Sequence, residues 1–259
     1  MTWWKKLLLG LAALLVALAL LAWFAPARWV APMVETRLRG VQLREVSGSV
    51  WDGRVGEAVL ADGTVLGRLD WHLSRRALFG QVRLHAAIDG PAMRGHGDFA
   101  RDGEIAPWRG VQLQVTLDAL PHPPTTPWGV PRGELVLDLA QMQVLKGWPD
   151  SVSGRVRWTR ATMQTPQASV TLGDLLAELS GSHGVIRADL RDGGNGPLAL
   201  AGVLQLSPIG WRLDARLSAR DHDPALQRWL ARLGPPDAQG VTHLQRGAGV
   251  GALSSGATR

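Results

Sequence analysis

The dominant pattern along most of the chain is a strict alternation of apolar and polar residues. In VQLQVTLD at residues 111–118 every odd position is apolar and every even position is polar, which is the period of a β-strand with one face in water. The same period recurs at residues 81–88, 135–139 and 211–218. These stretches therefore predict strands rather than helices.

Turn signals separate the alternating stretches. Asp-Gly pairs occur at residues 62–63, 89–90 and 102–103, and DGGNG occupies residues 192–196. Connections this short join antiparallel neighbours, because a parallel crossover needs a dozen or more residues. From Val41 onward we expect an all-β domain, built on a large twisted and mostly antiparallel sheet of roughly ten strands, arranged as a meander or an open half-barrel.

One short helix is predicted near the C-terminus. Asp223 supplies an N-cap and Pro224 a favourable first helical residue. The apolar residues that follow repeat at i, i+3, i+4 and i+7: Leu226, Trp229, Leu230 and Leu233. We expect this face to lie on the sheet, with docking to a partner as the alternative. Residues 172–180 fit either a strand or a helix.

The stretch VSGSVWDG at residues 46–53 sets a large ring among residues that favour turns. The nucleophile-elbow pattern G-x-S-x-G is absent from it, because Ser49 directly follows Gly48. We interpret Gly48, Trp51 and Gly53 as a strand-and-turn device, in which Asp52 and Gly53 form the turn after Trp51.

The same combination of glycine and tryptophan recurs twice. Trp71 stands four residues after Gly67, and Trp158 stands four residues after Gly154. Residues four apart in a strand share a face, so each ring is predicted to cover the space that its glycine leaves open.

A 19-residue apolar run, nine of its residues leucine, occupies residues 7–25. As a helix it would span about 28 Å, close to the roughly 30 Å hydrocarbon core of a bilayer. Lys5 and Lys6 precede it, and tryptophans suited to the membrane interface flank it. We predict an uncleaved transmembrane helix. A cleavable signal peptide is the alternative, although such peptides have a shorter apolar region.

The charges near this run predict the orientation of the chain. A short tail that carries two lysines normally stays in the cytoplasm, and a long following domain is translocated despite its own charge. We expect residues 1–6 to be a cytoplasmic tail and residues 7–25 the single span of a bacterial inner membrane. Residues 26–246 would then form a periplasmic β-rich domain, and residues 247–259 predict a disordered tail.

The sequence offers no constellation for catalysis, metal binding or cofactor binding. It contains no cysteine, and no two of its seven histidines stand at a metal-binding spacing. The densest cluster is DHD at residues 221–223, where the predicted N-cap already explains the last aspartate. GHG at residues 95–97 predicts a turn with a solvated imidazole. The net charge of +6 comes from arginines interleaved singly with apolar residues, which argues against nucleic-acid binding.

A proline-rich segment, PHPPTTPW, occupies residues 121–128. Such segments are typically stiff connectors, and presentation of Trp128 to a partner is the alternative.

An ordered set of signatures runs through the chain between residues 24 and 246. It comprises VSGSVWDG at 46–53, LGRLDWHL at 66–73, PRGEL at 131–135, GRVRW at 154–158 and LARLGPP at 230–236, with Gly240 after it. The set resembles the type II secretion system protein N family.

The resemblance implies a bitopic inner-membrane component of the machine that exports folded proteins from the periplasm across the outer membrane. It implies no enzymatic activity, no catalytic residues and no cofactor. The implied partners are other type II secretion components, either the secretin or the inner-membrane platform proteins.

A second hypothesis comes from the alternation itself and belongs to a different functional class. The anchored, all-β pattern is similar in outline to AsmA-like periplasmic proteins, in which an apolar trough handles lipid. Alternation cannot separate a closed core from an open trough, since both demand one apolar face.

Overall fold

The computed structural model describes residues 25–29, 31–37, 40–101, 107–145, 147–221 and 223–249. The predicted cytoplasmic tail, residues 7–24 of the predicted transmembrane helix, and residues 250–259 of the predicted tail lie outside these ranges. Among the described residues, no helix combines the length and the apolar character required to cross a bilayer.

The described residues form one antiparallel sheet of thirteen strands. The strands are β1 Val41–Gly48, β2 Asp52–Leu60, β3 Val65–Leu73, β4 Val82–Asp89, β5 Met93–Arg101, β6 Pro107–Thr116, β7 Val130–Leu145, β8 Trp148–Gln164, β9 Ser169–Ser182, β10 Val185–Asp192, β11 Leu198–Ser207, β12 Gly210–Ala219 and β13 Thr242–Gly249.

Each strand pairs with the strands before and after it in the chain, from β1 at one edge to β13 at the other. The prediction of an all-β meander is therefore confirmed, and the sheet is open. It has thirteen strands where we expected about ten. Residues 172–180 lie in β9, and β13 runs to Gly249, so it includes the first three residues of the predicted tail.

Within the described ranges, two α-helices and three short 3₁₀ segments accompany the sheet. Helix α1, Ala31–Arg37, precedes β1, and helix α2, Pro224–Leu233, lies between β12 and β13. The 3₁₀ segments are Ala27–Trp29, Arg75–Phe79 and Leu117–Ala119.

Helix α2 covers one end of the sheet and closes the main core. The Asp223 carboxylate caps it by accepting the Ala225 N–H at 2.8 Å, as the sequence predicts. Its four apolar residues are buried against sheet residues, so this face packs on the sheet and is not free for a partner. The main core comprises Ala161, Met163, Val170, Leu172, Leu198, Ala215, Leu217, Leu226, Trp229, Leu230, Leu233 and Leu244.

The proline-rich segment is a connector, as predicted, and it is fastened to α2. It joins the Leu117–Ala119 segment to β7, and the Trp128 carbonyl accepts the indole N–H of Trp229 at 2.8 Å. The connector is therefore held against the buried face of the helix.

Asp192 fastens the turn between β10 and β11 to the end of β12. Its carboxylate accepts N–H groups from Gly194 at 2.8 Å and Leu200 at 2.9 Å, and it pairs with Arg220. Partial burial acts to raise the pKa of Asp192, but these hydrogen bonds outweigh it and hold the pKa below its ordinary value.

We expect Asp192→Asn to lower the free energy of unfolding by roughly 1–3 kcal/mol at neutral pH, because the N–H groups of Gly194 and Leu200 and the Arg220 guanidinium lose a largely buried, charged acceptor. A folded-state pKa below the unfolded value gives stabilisation that is complete above pH 3.8 and is lost as the pH falls through the folded value. The penalty should therefore shrink in acid. Urea unfolding of the detergent-solubilised chain, followed by circular dichroism at neutral pH and below pH 3.8, measures it.

The matched control is Asp189→Asn, which removes a half-exposed carboxylate paired with Arg187 on the same strand. Its cost should stay at about 0–1 kcal/mol. Equal penalties for the two variants, or a penalty at Asp192 that does not vary with pH, would contradict the role given to Asp192.

Candidate interaction surfaces

One row of apolar residues crosses the entire sheet. Following the paired residues from strand to strand, it contains no polar side chain at any of thirteen positions. The row consists of Val46, Val55, Leu69, Ile88, Gly95, Leu113, Leu137, Val156, Ala177, Leu190, Gly202, Ala215 and Leu244.

Most of this apolar row lacks a covering layer among the described residues. Only Val55, Ala215 and Leu244 are buried, and the last two belong to the core beneath α2. The other ten positions are partly exposed, including Leu113, Leu137 and Val156 at the centre of the sheet. A sheet with one apolar face normally covers that face with a second layer. Most of this face has no such layer among the described residues, so its apolar side chains remain accessible to a ligand or a partner.

The opposite face is polar along an equally continuous row. Eleven of its thirteen positions are polar or charged; the row consists of Ser47, Arg54, Asp70, Ala87, His96, Gln112, Asp138, Arg155, Glu178, Asp189, Val203, Asp214 and Gln245. A shallow cleft of about 690 Å³ lies over its middle. The cleft carries side chains of both charges, so it does not select one sign of ligand.

Two exposed histidines lie on this polar face. His72 and His85 face each other across β3 and β4, and each contacts a carboxylate on its other side, Asp52 and Asp98 respectively. His96 stands near His85, with a ring separation of 6.3 Å. Within the described ranges, no group of three His, Cys, Asp or Glu residues is placed to hold a metal ion.

These pairs were not predicted, because they depend on the register between strands. The sequence places His72 and Asp52 twenty positions apart, with no local signal that joins them. The GHG prediction was wrong, since residues 95–97 lie inside β5. A Cβ on Gly95 would stand 2.6 Å from the Gln112 carbonyl oxygen, so glycine there permits close strand pairing.

The two edges of the sheet differ in how much of their backbone is covered. At β1, the Glu35 carboxylate of α1 accepts the Leu43 N–H at 2.8 Å, and Glu45 adopts a left-handed backbone that interrupts the strand. At β13, residues 245–249 are exposed, and among the described residues no strand pairs with its outer side. β13 is therefore the open edge.

The VSGSVWDG stretch turns earlier than predicted. Residues 49–51 form the turn, while Asp52 and Gly53 begin β2, which corrects the Asp-Gly turn that the sequence indicated. The Ser49 hydroxyl accepts the N–H groups of Trp51 and Asp52, and Gly48 has a positive φ of 83°. Trp51 itself is buried, and its carbonyl accepts the Leu73 N–H.

The tryptophan rings cover space on other strands, not on their own. A Cβ on Gly53 would lie 2.0 Å from the Trp71 ring, so Trp71 covers the glycine opposite it on β2, while Gly67 is approached by the backbone of Gly90. Gly154 is likewise closed by Leu139 rather than by Trp158.

These rings also tie separate segments together. The indole N–H groups of Trp71 and Trp158 donate to the carbonyls of Val50 at 3.0 Å and Arg132 at 2.8 Å. All seven residues of the predicted glycine and tryptophan motif lie in the sheet or its turns. Their close packing and their hydrogen bonds help to fix the turns and connections of the sheet.

An open sheet with one apolar face, and with one edge strand that no other strand pairs on its outer side among the described residues, has surfaces suited to binding other molecules. The chain belongs to the family described as Type II secretion system (T2SS), protein N, whose family model matches residues 39–245. It is therefore a component of the type II secretion system.

The chain is also similar to the Type II secretion system protein N of Aeromonas hydrophila. The identity is 29% over 245 residues, which cover 91% of this chain and 95% of that protein. No solved structure matches the chain significantly.

We expect Gly53→Ala to displace the Trp71 ring and to lower the free energy of unfolding by about 1–3 kcal/mol, the usual cost of overpacking. Urea unfolding followed by circular dichroism measures the change. The matched control is Gly234→Ala, where the new Cβ would stand 3.5 Å from its nearest neighbour and the backbone is extended at φ 171°. An equal cost at both glycines would show that the ring does not occupy the space above Gly53.

Proposed function

We propose that this chain is a bitopic inner-membrane component of the type II secretion system that works through protein contacts rather than by catalysis. Its sheet stands in the periplasm, where it supports the export of folded proteins across the outer membrane. Its partners are other secretion components, either the secretin or the inner-membrane platform proteins.

The observation that carries this proposal is the open edge at β13. An unpaired strand offers a row of backbone N–H and C=O groups, to which an extended segment of a partner can add by hydrogen bonding. Side chains alternate along this edge, with Leu244 and Arg246 on one face and His243 and Gln245 on the other. An added strand would extend both faces of the sheet. It would match them if its apolar side chains lay on the apolar face and its polar side chains on the polar face.

The membrane topology in this proposal rests on the apolar run at residues 7–25 and on the lysines before it. Inner-membrane anchoring would keep the β-rich domain close to the platform. We propose a non-catalytic role because of the family to which the chain belongs and because its titratable side chains are scattered.

A second candidate function is the handling of lipid by the apolar face. The continuous apolar row favours it, because its central residues stay partly exposed across several adjacent strands. An acyl chain lying along the row would cover these side chains, with roughly 25 cal/mol gained for each Å² of apolar surface removed from water.

We expect a photo-crosslinking amino acid at Gln245, on the open edge, to give adducts with other secretion components in cells that run the system. The control position is Gln205, which is exposed on the polar face of the interior strand β11, two strands from the open edge. Mass spectrometry of the adducts identifies the partner.

Adducts from Gln245 but not from Gln205 would support edge pairing. Adducts from Gln205 alone would place the partner on the face of the sheet, and secretion components absent from both positions would contradict the proposal. Deleting the gene and measuring an exported substrate in the medium tests the secretion role separately, since no contact is assumed.

For the second candidate, we expect native mass spectrometry of the detergent-purified chain to show bound phospholipid, and Val156→Glu to abolish it. A carboxylate at the centre of the apolar row would have to be desolvated by the acyl chain, which is strongly unfavourable. The matched control is Arg155→Glu, one residue earlier on the polar face, which should leave the lipid bound. If neither the unaltered chain nor the control carries lipid, this function is ruled out.

A further inference from the structure

The chain enters the sheet at a defined place, next to the β1–β2 turn. The Ala25 carbonyl accepts the Val50 N–H at 2.9 Å, and Pro26 forms an isolated bridge with Ser49. Ala25 is also the last residue of the apolar run predicted to span the membrane. This end of the sheet is therefore the end to which the membrane segment leads.

The Arg75–Phe79 segment lies at the same end, one connection away. The Leu73 N–H donates to the Trp51 carbonyl at 2.6 Å, so the end of β3 is fixed beside the β1–β2 turn, and the segment starts two residues later. Trp29 belongs to this region as well, since its N–H donates to the Pro26 carbonyl.

This region exposes large apolar side chains beside arginines. Phe79 is 85% exposed, Trp29 57% and Leu78 48%. Arg75 and Arg76 are exposed in the same segment. Aromatic and aliphatic side chains next to basic ones form the composition that binds the interface of an anionic membrane.

The exposure of Phe79 is built into the turn. The Ser74 hydroxyl accepts the Arg76 N–H, Gly80 has a φ of 85° and donates its N–H to the Ala77 carbonyl, and the Gln81 N–H returns to the Arg76 carbonyl. Hydrogen bonds on both sides of Phe79 thus hold it outward. Together with the exposed Leu78 beside it, this outward-held ring forms an apolar protrusion that can enter another apolar surface.

Other connections between strands at this end of the sheet also expose large apolar side chains. Leu145, Val185 and Ile209 are exposed where β7, β10 and β11 meet this end. At the opposite end the described connections between strands are rich in glycine, proline and aspartate, and Trp128 is the large apolar residue exposed in them. Met33 of α1, in the segment that leads into β1, is exposed as well.

We propose that the end of the sheet formed by Trp29, Arg75, Arg76, Leu78 and Phe79 rests on the bilayer that holds the chain's own N-terminal segment. Leu78 and Phe79 enter the interfacial layer, and the two arginines contact lipid phosphates. This inference rests on the proposed membrane topology and adds an orientation, because it fixes which end of β1–β4 faces the membrane.

The test uses the full chain in liposomes of phosphatidylcholine and phosphatidylglycerol. Because the chain has no cysteine, Phe79→Cys and Trp128→Cys each give one site for a fluorescent label. Lipids that carry a nitroxide quencher on the headgroup report proximity to the bilayer. We expect quenching at position 79 to exceed quenching at position 128 several-fold.

The arginines are tested in the labelled chain by Arg75→Glu combined with Arg76→Glu. Each basic side chain lost from an anionic surface should weaken docking by about fivefold. We therefore expect quenching at position 79 to fall in liposomes that contain phosphatidylglycerol, and to fall in high salt even without the substitutions.

Failure of this inference is separable from failure of the proposed topology. If carbonate extracts the chain from the liposomes, the membrane anchoring itself is wrong. If the chain resists extraction but positions 79 and 128 are quenched equally, the docked orientation is wrong while the anchor stands. If the label at position 79 is not quenched by the lipids and becomes shielded from solvent only after another secretion component is added, this surface binds that protein and not the membrane. That result would overturn the proposal.

Discussion

The constraint on which the rest of this structure depends is that the sheet is one layer thick. Each strand is held by the backbone hydrogen bonds of its two neighbours, and the two faces stay sorted because side chains alternate along every strand. The short helix α2 supplies the only described layer above the apolar face, and it covers one end. Burial elsewhere comes from neighbouring side chains within the same face, which explains why so many apolar residues remain partly exposed. Such a sheet gains less from burial than a sandwich does, and it retains surface for binding.

Tryptophan compensates in part for the missing second layer. Four indole N–H groups, those of Trp71, Trp148, Trp158 and Trp229, each donate to a backbone carbonyl of a different segment. A large ring that lies along a sheet covers neighbouring strands, while its N–H fastens a turn or a connector. The Trp71 ring covers Gly53, whose missing side chain makes the close contact possible. These residues therefore fasten the ends and connections of the sheet, where backbone pairing alone leaves the chain loosest.

Features that depend on the local order of residues could be predicted from the sequence, whereas features that depend on the register between strands could not. Alternation identified the strands and their two faces, and the cap at Asp223 with the apolar spacing after it identified α2, because both patterns are read from adjacent residues. The residue that a tryptophan ring covers cannot be predicted in this way, because it depends on which residues of two neighbouring strands stand opposite each other. Turning at residues 49–51 rather than after Trp51 places Gly53 opposite Trp71. The pairs of His72 with Asp52 and of His85 with Asp98 arise in the same way, as does the position of residues 95–97 inside β5.

The two edge strands, β1 and β13, differ in how readily a strand of a partner can pair with them. Sheets with two free edges can pair end to end without limit, which leads to open polymers rather than to a defined complex. Here the Glu35 carboxylate satisfies a backbone donor of β1 and the left-handed Glu45 interrupts that strand. The outer side of β13 is bridged by Pro236 at Thr242, and beyond that point no strand pairs with it among the described residues. These features of β1 disfavour strand addition there, so a partner strand is expected to add at β13. Addition at one edge also leaves the apolar face and the strand ends accessible, because backbone pairing uses the edge alone. A component anchored at one end of its strands and paired at one edge could hold a partner at a fixed place relative to the membrane.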